Sequence, residues 1–522
     1  MQNNIKTVTE SVGKEDSHAA DLDQALAVAG LGWYNIKYSL LLALFLIGAI
    51  LEPVGYSFVL PAAMCDLEMT DSQRGFIASI PYIGVVVTSF PWGYLVDTRG
   101  RKSMIVIASF LAGLFSIVAA FMPNLITFAI VKSISAICIA CPAAVPYTFI
   151  GEILPAKNRD VVLSITNALQ VGGTLIVPLL AWAILPLDFR INFGLYLFRP
   201  WRLLTILYAS VFVIAAVLMM FGPESPKFLV SQGKIDEALD VLRDIYIGNK
   251  KKGAGEFPIK RLIAPPYDSE KKTFFKSLRV QSVPLFKPPY LKWFALNSFL
   301  MFGVFTTING LYVWVPEILN RVMTGDGEDK TACDVIFDRL NQTSQSDECI
   351  DTIETVTFVI NAVANASCTV ICLAVGSCVK FIGKKRLMIL VFVLIGTFCV
   401  LINFITQDMV FAVLLSSLQI LSLAIGPINA YSGEFFPTHL RGMAVGLTMM
   451  CGRTGSIVGI NVAGVLLNAV CELTFYLFGG LLLVCGLLSF LLPGSQKPLI
   501  KKTVQLENSP SNNNRNPQSS HL

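Results

Sequence analysis

Three ionisable residues lie deep inside long apolar stretches of this sequence. Glu52 is about 15 residues into one stretch, Lys132 about 7 residues into another, and Arg453 about 10 residues into a third. At 1.5 Å of helical rise per residue, Arg453 lies about 15 Å from the start of its helix, near the middle of a bilayer. A charge at that depth costs at least about 2.5–3.5 kcal/mol. Each of the three is therefore expected to face water or the protein interior and to have a partner.

The way in which these three charges are paired determines whether an anionic or a cationic solute is expected. A Glu52–Lys132 pair would be structural, and it would leave Arg453 without a counter-ion. That arrangement predicts a solute whose anionic group binds Arg453, with Glu52 able to titrate and to couple protons. The alternative solute is an organic cation held by Glu52. Asn429 and Tyr431, in a further apolar stretch, are expected to supply polar and aromatic walls.

The composition indicates that the elements carrying these residues cross a membrane. Of the 522 residues, 54% are hydrophobic and only 14% are charged, and the mean hydropathy is +0.64. A spanning helix needs about 20 mostly apolar residues, because backbone polar groups in lipid must be satisfied within the helix. The sequence therefore predicts an all-α membrane protein with twelve transmembrane helices. They are expected near residues 37–61, 76–96, 103–122, 125–151, 162–185, 203–222, 291–315, 355–379, 387–405, 409–433, 443–468 and 472–493.

The distribution of Lys and Arg predicts how these helices are oriented. Short loops after predicted helices 2, 4, 8 and 10 carry basic residues, whereas the loops after helices 3, 9 and 11 carry none. By the positive-inside rule, the basic loops and both termini are expected in the cytoplasm. The net charge of +5 reflects this topology, and no nucleic-acid partner is inferred. Residues 1–20 lack the apolar core of a signal peptide, so the first helix is expected to direct insertion.

An internal repeat divides the chain into two related halves. GEILPAKNR at 151–159 recurs as GEFFPTHLR at 433–441, and GYLVDTRGRK at 93–102 recurs as GSCVKFIGKK at 376–385. The repeat predicts two pseudo-symmetric six-helix bundles. The predicted order is a cytoplasmic N-terminal segment (1–35), a first bundle (36–222), a cytoplasmic linker (223–290), a second bundle (291–493) with an outer loop (317–354), and a disordered cytoplasmic tail (494–522).

Charged residues in the cytoplasmic loops are expected to form a gate between the two halves. Asp97 and Arg101 would bind groups of the repeated loops and the start of helix 11, and Glu224 would do the same from the linker. Bonds of this kind exist only while the cytoplasmic side is closed, so they would favour the outward-open state. The alternative is that these charges only set the topology. The full set is Asp97, Arg101, Glu152, Arg159, Glu224, Glu434 and Arg441.

The outer loop contains two cysteines and a glycosylation sequon. Cys333 and Cys349 flank Asn341, which begins the sequon Asn-Gln-Thr. Disulfides persist on that side of the membrane, so we expect a Cys333–Cys349 bridge and a glycan on Asn341. Closing about 15 residues would contribute about 3 kcal/mol in the chain-entropy model. Cys65, at the outer end of helix 1, is the main rival partner, and the sequon at Asn365 should stay bare within helix 8.

The sequence has no motif of a soluble enzyme or of a resident cofactor. Cys138 and Cys141 form a CxxC, but they lie inside predicted helix 4 with no His nearby, so small packing residues are favoured over a metal site. No GxxxxGK[ST] motif is present, so direct use of ATP is not expected. The sequence thus predicts neither an enzyme nor a bound metal or cofactor.

With the repeat, the charged loop motifs and the stretches given below, the sequence resembles the major facilitator superfamily over nearly all of residues 21–493. Within that superfamily it is similar to the synaptic vesicle glycoprotein family and its organic-ion-transporter-like relatives. The matching stretches are DLDQALAVAGLGWY, FVLPAA, AWAILP, FRPWR, PESPKF and GLYVWVPEIL. The resemblance implies two bundles that rock about a central cavity. The AWAILP match places Trp182 at the wall of that cavity. The chain departs from the family at Ala49 and at Lys380, where acidic residues are expected.

Two classes of function follow from the resemblance. The first is a secondary active transporter of a small organic solute, with an organic ion as the expected substrate and protons as a possible coupling ion. The second is a non-transporting membrane glycoprotein that binds partners or regulates vesicles. The first is favoured because ionisable residues are kept at membrane depth. Either protein would be a multi-pass monomer in the plasma membrane or an intracellular vesicle membrane, with lipid as its surroundings.

Overall fold

The computed structural model contains twelve helices that are long enough and apolar enough to cross a membrane. It describes residues 19–251, 256–263, 279–280, 282–324, 330–345 and 352–493. The predicted twelve-helix fold is confirmed. Side chains at 339–345, 376–381 and 438–439 are outside the description. In chain order, spans 1 to 12 are Trp33–Ala63, Asp71–Arg99, Arg101–Ala119, Leu125–Ile153, Ala156–Ile184, Pro200–Met220, Leu291–Tyr312, Thr355–Val375, Lys384–Phe404, Asp408–Phe435, Leu440–Ala469 and Cys471–Ser489.

Two spans are interrupted helices. Span 5 consists of Ala156–Gly173 and Ile176–Ile184. Span 10 consists of Asp408–Ser416, a 3-10 helix Ser417–Ala424, and Ile425–Phe435. Long 3-10 stretches have poorer hydrogen-bond geometry than an α-helix and often mark hinges. The apolar run alone predicted the extent of span 10 but not this break.

Local sequence signals explain where several spans begin and turn. The Thr70 side chain accepts a hydrogen bond from the backbone N–H of Gln73, and the Gln73 side chain accepts one from the Thr70 N–H, which forms a capping box at the start of span 2. Spans 2 and 3 are joined at Gly100 with φ +105°, and span 9 follows Gly383 with φ +85°. Only glycine adopts this backbone region readily. The two repeated motifs thus make the same turn at the same place in each half.

Several shorter elements lie outside the spans. The N-terminal helix Leu22–Ala29 follows a strand, Ala19–Ala20, that pairs in parallel with Arg261–Leu262. The linker contains Pro226–Ser231 and the linker helix Ile235–Lys250. A hairpin of Ile191–Asn192 and Leu197–Phe198 joins spans 5 and 6. The outer helix Val315–Met323 follows span 7, and the loop helix Ala332–Gln345 precedes span 8. A 3-10 turn, Val283–Phe286, precedes span 7, and a second one, Ile402–Phe404, closes span 9.

Of the four apolar cores found among the described residues, two show how these elements are connected. The larger one runs through both halves and includes residues of spans 1, 7 and 11. A smaller one joins the N-terminal helix to the linker helix, with Leu26 and Leu242 among its buried members. Asn249 of the linker helix donates to the Asn35 side chain of span 1 (2.5 Å), and Asn35 donates to the carbonyl of Ile153 in span 4 (2.8 Å). The N-terminal segment and linker therefore form one small unit attached to the first half.

The membrane bundle has two ends, the Gly100 end and the Arg74 end. The Gly100 end contains Gly100, Glu152 and the linker unit, and the Arg74 end contains Arg74, Glu317 and the loop helix. Spans 2 and 11 pack along each other across the two halves, and a Cβ on Gly75 would lie 3.5 Å from the carbonyl of Ile460. The halves are thus in close contact at the Arg74 end.

Candidate functional site

Glu52, Ser116 and Lys132 form a buried polar trio inside the first half. Lys132 Nζ donates to Glu52 Oε1 at 2.5 Å and lies 2.6 Å from Ser116 Oγ. Ser116 Oγ in turn lies 2.9 Å and 3.0 Å from the two carboxylate oxygens of Glu52. All three side chains are buried. The sequence pointed to the two charges but not to Ser116, because a single serine in an apolar span carries no distinguishing pattern.

This trio explains how two charges are kept at membrane depth. The ion pair cancels the net charge, the serine hydroxyl satisfies further hydrogen-bonding capacity, and Lys132 Nζ also lies 5.2 Å from the ring centroid of Tyr56. The geometry is that of the structural pair considered in the sequence analysis. Glu52 is therefore engaged by the protein's own cation in this conformation.

Arg453 of span 11 has a different environment. Its guanidinium lies 5.2 Å from the ring centroid of Phe305 in span 7 and 5.8 Å from that of Tyr82 in span 2. Within the described part of the chain, no carboxylate forms an ion pair with it, and its side chain is only partly buried. Aromatic faces stabilise a cation but leave its N–H donors unused. Arg453 thus presents donors between the halves.

A polar cluster in spans 4 and 5 lies near Arg453. The Tyr147 hydroxyl hydrogen-bonds to Asn167 Oδ1 at 3.1 Å and to Gln170 Oε1, and Tyr147 interacts electrostatically with Arg453. Asn167 and Gln170 are three residues apart on one helix face and are at least partly exposed. Sequence reasoning missed these three residues. The i,i+3 spacing of two amides in an otherwise apolar stretch was the available signal.

The three other residues predicted to line the cavity differ in whether their polar groups are available to a solute. Asn429 lies 3.9 Å from the sulfur of Met449, and its Oδ1 is buried with no hydrogen-bond partner among the described residues. Tyr431 is buried, donates to the carbonyl of Pro493 at 3.2 Å and stacks on Phe435. Its hydroxyl is therefore used within the second half and is not available to a solute. Trp182 is 42% exposed, on the short second segment of span 5.

The charges expected to form a gate at the Gly100 end are paired, but within one half. Arg101 forms hydrogen bonds of 3.1 Å and 3.2 Å with Glu152 and lies 3.2 Å from Asp97. Glu152 also accepts from Ser225 at 2.5 Å. Glu224 accepts from the backbone N–H groups of residues 101 and 102 at 3.0 Å and 2.9 Å. This network joins spans 2, 3 and 4 to the start of the linker.

Two of the remaining gate residues, Arg159 and Glu434, also have partners close by. Arg159 lies 3.6 Å from Asp23 of the N-terminal helix, and Lys384 lies 2.5 Å from Glu434. Arg441 is exposed. The expectation that Asp97 and Arg101 bind the start of helix 11 is not met in this conformation, because their charges are satisfied inside the first half. In the portions of the chain that are described, no ion pair joins the two halves at this end.

An ion-pair network that the sequence analysis missed joins the halves at the Arg74 end. Arg74 of span 2 pairs with Glu317 of the outer helix and lies 3.2 Å from Asp71. Glu317 also pairs with Arg321, which donates to Asn468 of span 11 at 3.0 Å. Asn468 in turn donates to Asp71. Nothing local in the sequence links Glu317 to Arg74, which lies 243 positions earlier in the chain.

The electrostatics of this network favour a closed Arg74 end. Burial alone would raise the pKa of Glu317, but Arg74 and Arg321 outweigh it and hold that pKa below the usual 4.5. The Arg74 guanidinium also lies 4.1 Å from the ring centroid of Trp314. A charged Glu317 between two guanidinium groups therefore fastens the two halves together here.

The disulfide predicted in the outer loop is wrong in its pairing. Cys333 is bonded to Cys471 at the start of span 12, with a Cα–Cα distance of 5.6 Å. Cys349 lies outside the described residues. The loop helix packs against the outer helix and spans 11 and 12, so Cys333 meets a cysteine 138 positions away instead of its sequence neighbour. Cys65 is also in a disulfide.

The glycan expected on Asn341 and the absence of a metal site expected at Cys138 and Cys141 both remain predictions. Asn341 belongs to the loop helix, but its side chain is outside the described residues, so the glycan is untested. Cys138 and Cys141 are buried free thiols. Among the described residues, no cluster of three or more His, Cys, Asp or Glu side chains could hold a metal ion.

Comparison with known proteins decides the family. The sequence profile described as Major Facilitator Superfamily matches residues 26–326 and 352–516. The chain belongs to the Major Facilitator Superfamily. It is 26% identical over 350 residues to synaptic vesicle glycoprotein 2C of Mus musculus, covering 61% of this chain and 47% of that protein. It is 27% identical over 338 residues to synaptic vesicle glycoprotein 2A of Rattus norvegicus, covering 59% and 45%. The chain spans about half the length of the curated relatives it matches.

Solved structures of this superfamily share the fold. The xylose transporter XylE from E. coli, in a partially occluded inward open conformation, superposes with a TM-score of 0.62 at 16% identity, covering 89% of this chain and all of that chain. The nucleoside transporter NupG superposes with a TM-score of 0.58 at 14% identity, covering 88% and 99%. The superfamily member described here is a multi-pass membrane protein with the fold of transporters.

Proposed function

We propose that this superfamily member is a secondary active transporter of a small organic anion and works by alternating access. The observation that carries the proposal is Arg453, a partly buried guanidinium between the halves with no acidic partner among the described residues. A buried charge of this kind needs a counter-charge. A solute that brings an anionic group supplies it, and the partly exposed amides of Asn167 and Gln170 offer additional hydrogen bonds.

The state of Glu52 favours an anion over a cation. Its carboxylate is already neutralised by Lys132 and hydrogen-bonded by Ser116, so a cationic solute would have to displace a buried partner. We assign Glu52 to proton coupling instead.

We assign the Gly100 end to the cytoplasm, with both termini, because the basic loops lie there. The network of Arg74 and Glu317 then closes the outer side. Alternating access requires this network to break when the outer side opens, while a contact across the Gly100 end forms. We propose that Asp97, Arg101 and Glu152, which are paired within the first half in this conformation, exchange partners to form that second contact.

The experiment is uptake of a panel of organic anions and cations into proteoliposomes, with and without a pH gradient. Arg453→Gln should abolish anion uptake with normal reconstitution, and Arg453→Lys should lower it less, since the charge is kept. Arg190→Gln is the matched control, because Arg190 is exposed in the hairpin loop. Wild-type anion uptake by Arg453→Gln would refute the anion proposal, and cation uptake that depends on Glu52 would replace it.

A second candidate function comes from the relatives. Those matched over 59–61% of this chain are synaptic vesicle glycoproteins. The second candidate is therefore a vesicle membrane glycoprotein, for which we propose a role in binding partners without moving a solute. The two candidates differ in the same assay. A non-transporting glycoprotein would give no uptake of any panel member by a correctly folded wild type.

A further inference from the structure

A cleft of about 410 Å³ lies where the linker helix meets the ends of spans 1 and 6. Its walls combine aromatic rings, one carboxylate and backbone of small residues. Tyr34 and Tyr38 stand one turn apart at the start of span 1, with ring centroids 4.7 Å apart. Asp244 of the linker helix faces both rings closely enough to interact with them electrostatically. The cleft is far from Arg453 in the fold, because it lies outside the bundle at the Gly100 end.

The carboxylate of this cleft lacks a cation. In the described part of the chain no ion pair reaches Asp244, whereas Asp240, one turn earlier on the same helix, pairs with Arg243 at 2.8 Å. The Asp244 side chain is exposed to solvent, and partial desolvation, reinforced by the neighbouring Asp240, raises the pKa of its carboxyl. Aromatic faces beside an unpaired carboxylate are the surroundings that weakly hydrated organic cations prefer.

The cleft also carries one positive charge at its edge. Lys37 Nζ lies 5.3 Å from the ring centroid of Tyr38 and is exposed. The ring face of Tyr38 thus already interacts with the ammonium group of Lys37. A ligand that places its own cation between Tyr38 and Asp244 would leave Lys37 free to bind an anionic group next to it. The charge pattern is therefore complementary to a zwitterion.

The position of the cleft along spans 1 and 6 indicates that such a zwitterion would come from the membrane lipid. Tyr34 and Tyr38 lie in the first two turns of span 1, and Phe221 follows the last residue of span 6, so the cleft opens at the level where the spans leave the hydrocarbon. Trp33 and Phe221 beside it are 68% and 86% exposed. Large apolar side chains at this depth contact lipid at the membrane interface.

We propose that this cleft binds the phosphocholine headgroup of a phosphatidylcholine molecule. The trimethylammonium group lies against Tyr34 and Tyr38 with Asp244 as its counter-charge, and Lys37 binds the phosphate. The bound lipid fastens the linker helix to spans 1 and 6. A quaternary ammonium is preferred to the primary ammonium of phosphatidylethanolamine, because it is weakly hydrated and loses little when its methyl groups contact the two tyrosine faces.

The test uses the full chain in a neutral maltoside detergent, with soluble dihexanoyl-phosphatidylcholine as the probe and binding followed by saturation-transfer NMR of the choline methyl protons. Asp244→Asn should weaken binding at least about tenfold, and Tyr38→Leu should weaken it similarly. Asp240→Asn is the matched control and should bind as the wild type does. Lys37→Gln should weaken the lipid probe while binding of tetramethylammonium stays unchanged.

Several outcomes would overturn the proposal. Equal losses in Asp240→Asn and Asp244→Asn would indicate only surface charge. Phosphatidylethanolamine binding as tightly as phosphatidylcholine would remove the role of the aromatic pair. Tetramethylammonium binding as tightly as the lipid probe would make this a site for a soluble cation. Because Asp244→Asn and Tyr38→Leu change different walls, unchanged binding in both folded variants would also refute it.

Discussion

Arg74 of span 2 and Glu317 of the outer helix form an ion pair that joins the two halves of the protein. Both side chains are largely withdrawn from solvent, and the pair is continued through Arg321 and Asn468 to span 11. The residues are 243 positions apart in the chain. In a rocking mechanism such a pair contributes to one state only, so it sets the balance between the two states by its own stability.

Removing one partner of this pair should open the Arg74 end. In a Glu317→Gln variant, Arg74 loses its counter-charge, and breaking a buried pair costs about 3–5 kcal/mol. We expect labelling of a cysteine placed at Asn309, by an impermeant maleimide added from outside, to rise about tenfold or more. The exchange of Arg74→Glu with Glu317→Arg should restore protection in part. Identical labelling in wild type and Glu317→Gln would show that the pair does not hold the halves together.

The same pair predicts how outer access depends on pH. The pKa of Glu317 is held below its usual 4.5, so the closing contribution is fully present above that value and is lost as pH falls through the lowered pKa. Only the thiolate reacts, so labelling at Asn309→Cys is expressed relative to the same variant unfolded at the same pH. This ratio should stay flat between about pH 7 and 5 and rise only below about pH 4.5. A rise centred near pH 6 would point to another titrating group.

The Glu52–Lys132 pair predicts a non-additive pattern of stability. Glu52→Gln leaves a buried ammonium without its counter-charge and should lower the free energy of unfolding by about 3–5 kcal/mol. Replacing both residues, as Glu52→Gln with Lys132→Met, removes both charges and should recover much of that loss. Thermal unfolding of the purified variants in detergent measures the pattern. Additive losses in the double variant would mean that the two side chains do not act as a pair.

Features with a local cause in the sequence were predicted well. The twelve spans follow from the length of apolar runs, and the repeated turns at Gly100 and Gly383 follow from a motif that occurs in both halves. The pairing of Glu52 with Lys132 was one of the arrangements considered, because two opposite charges in one half at similar depth have few other partners.

Features that depend on distant contacts were not predicted. Cys333 has a cysteine 16 positions away in sequence, but its partner is Cys471, which is placed by the packing of the loop helix on spans 11 and 12. Arg74 follows an ordinary capping box and was not distinguished from a residue of a solvated loop. Its role depends on a helix from the other half, and no periodicity or spacing specifies that contact.

The cysteine inventory predicts a second bridge. Cys65 is in a disulfide, Cys333 is bonded to Cys471, and seven other cysteines are free. Of the twelve, only Cys349 and Cys378 remain, and Cys378 belongs to the repeat of the Gly100 turn at the opposite end. We predict a Cys65–Cys349 bridge, which would join span 1 to the outer loop of the second half. Peptide mass spectrometry without reduction should find it, and Cys349→Ser should expose a Cys65 thiol. A Cys65–Cys378 peptide would contradict the assignment.

The network around Arg101 predicts a graded effect at the Gly100 end. Glu152 binds Arg101 through two hydrogen bonds and also holds Ser225, whereas Asp97 is 72% exposed and touches Arg101 once. Exposed pairs contribute about 0–1 kcal/mol, and shielded charge-assisted bonds contribute more. Because these bonds lie within the first half, Glu152→Gln should lower the free energy of unfolding more than Asp97→Asn does, as measured by thermal unfolding of the purified variants in detergent. Equal losses in the two variants would show that the shielded bonds of Glu152 contribute no more than the exposed contact of Asp97, so the network would hold the linker in place without adding measurably to stability.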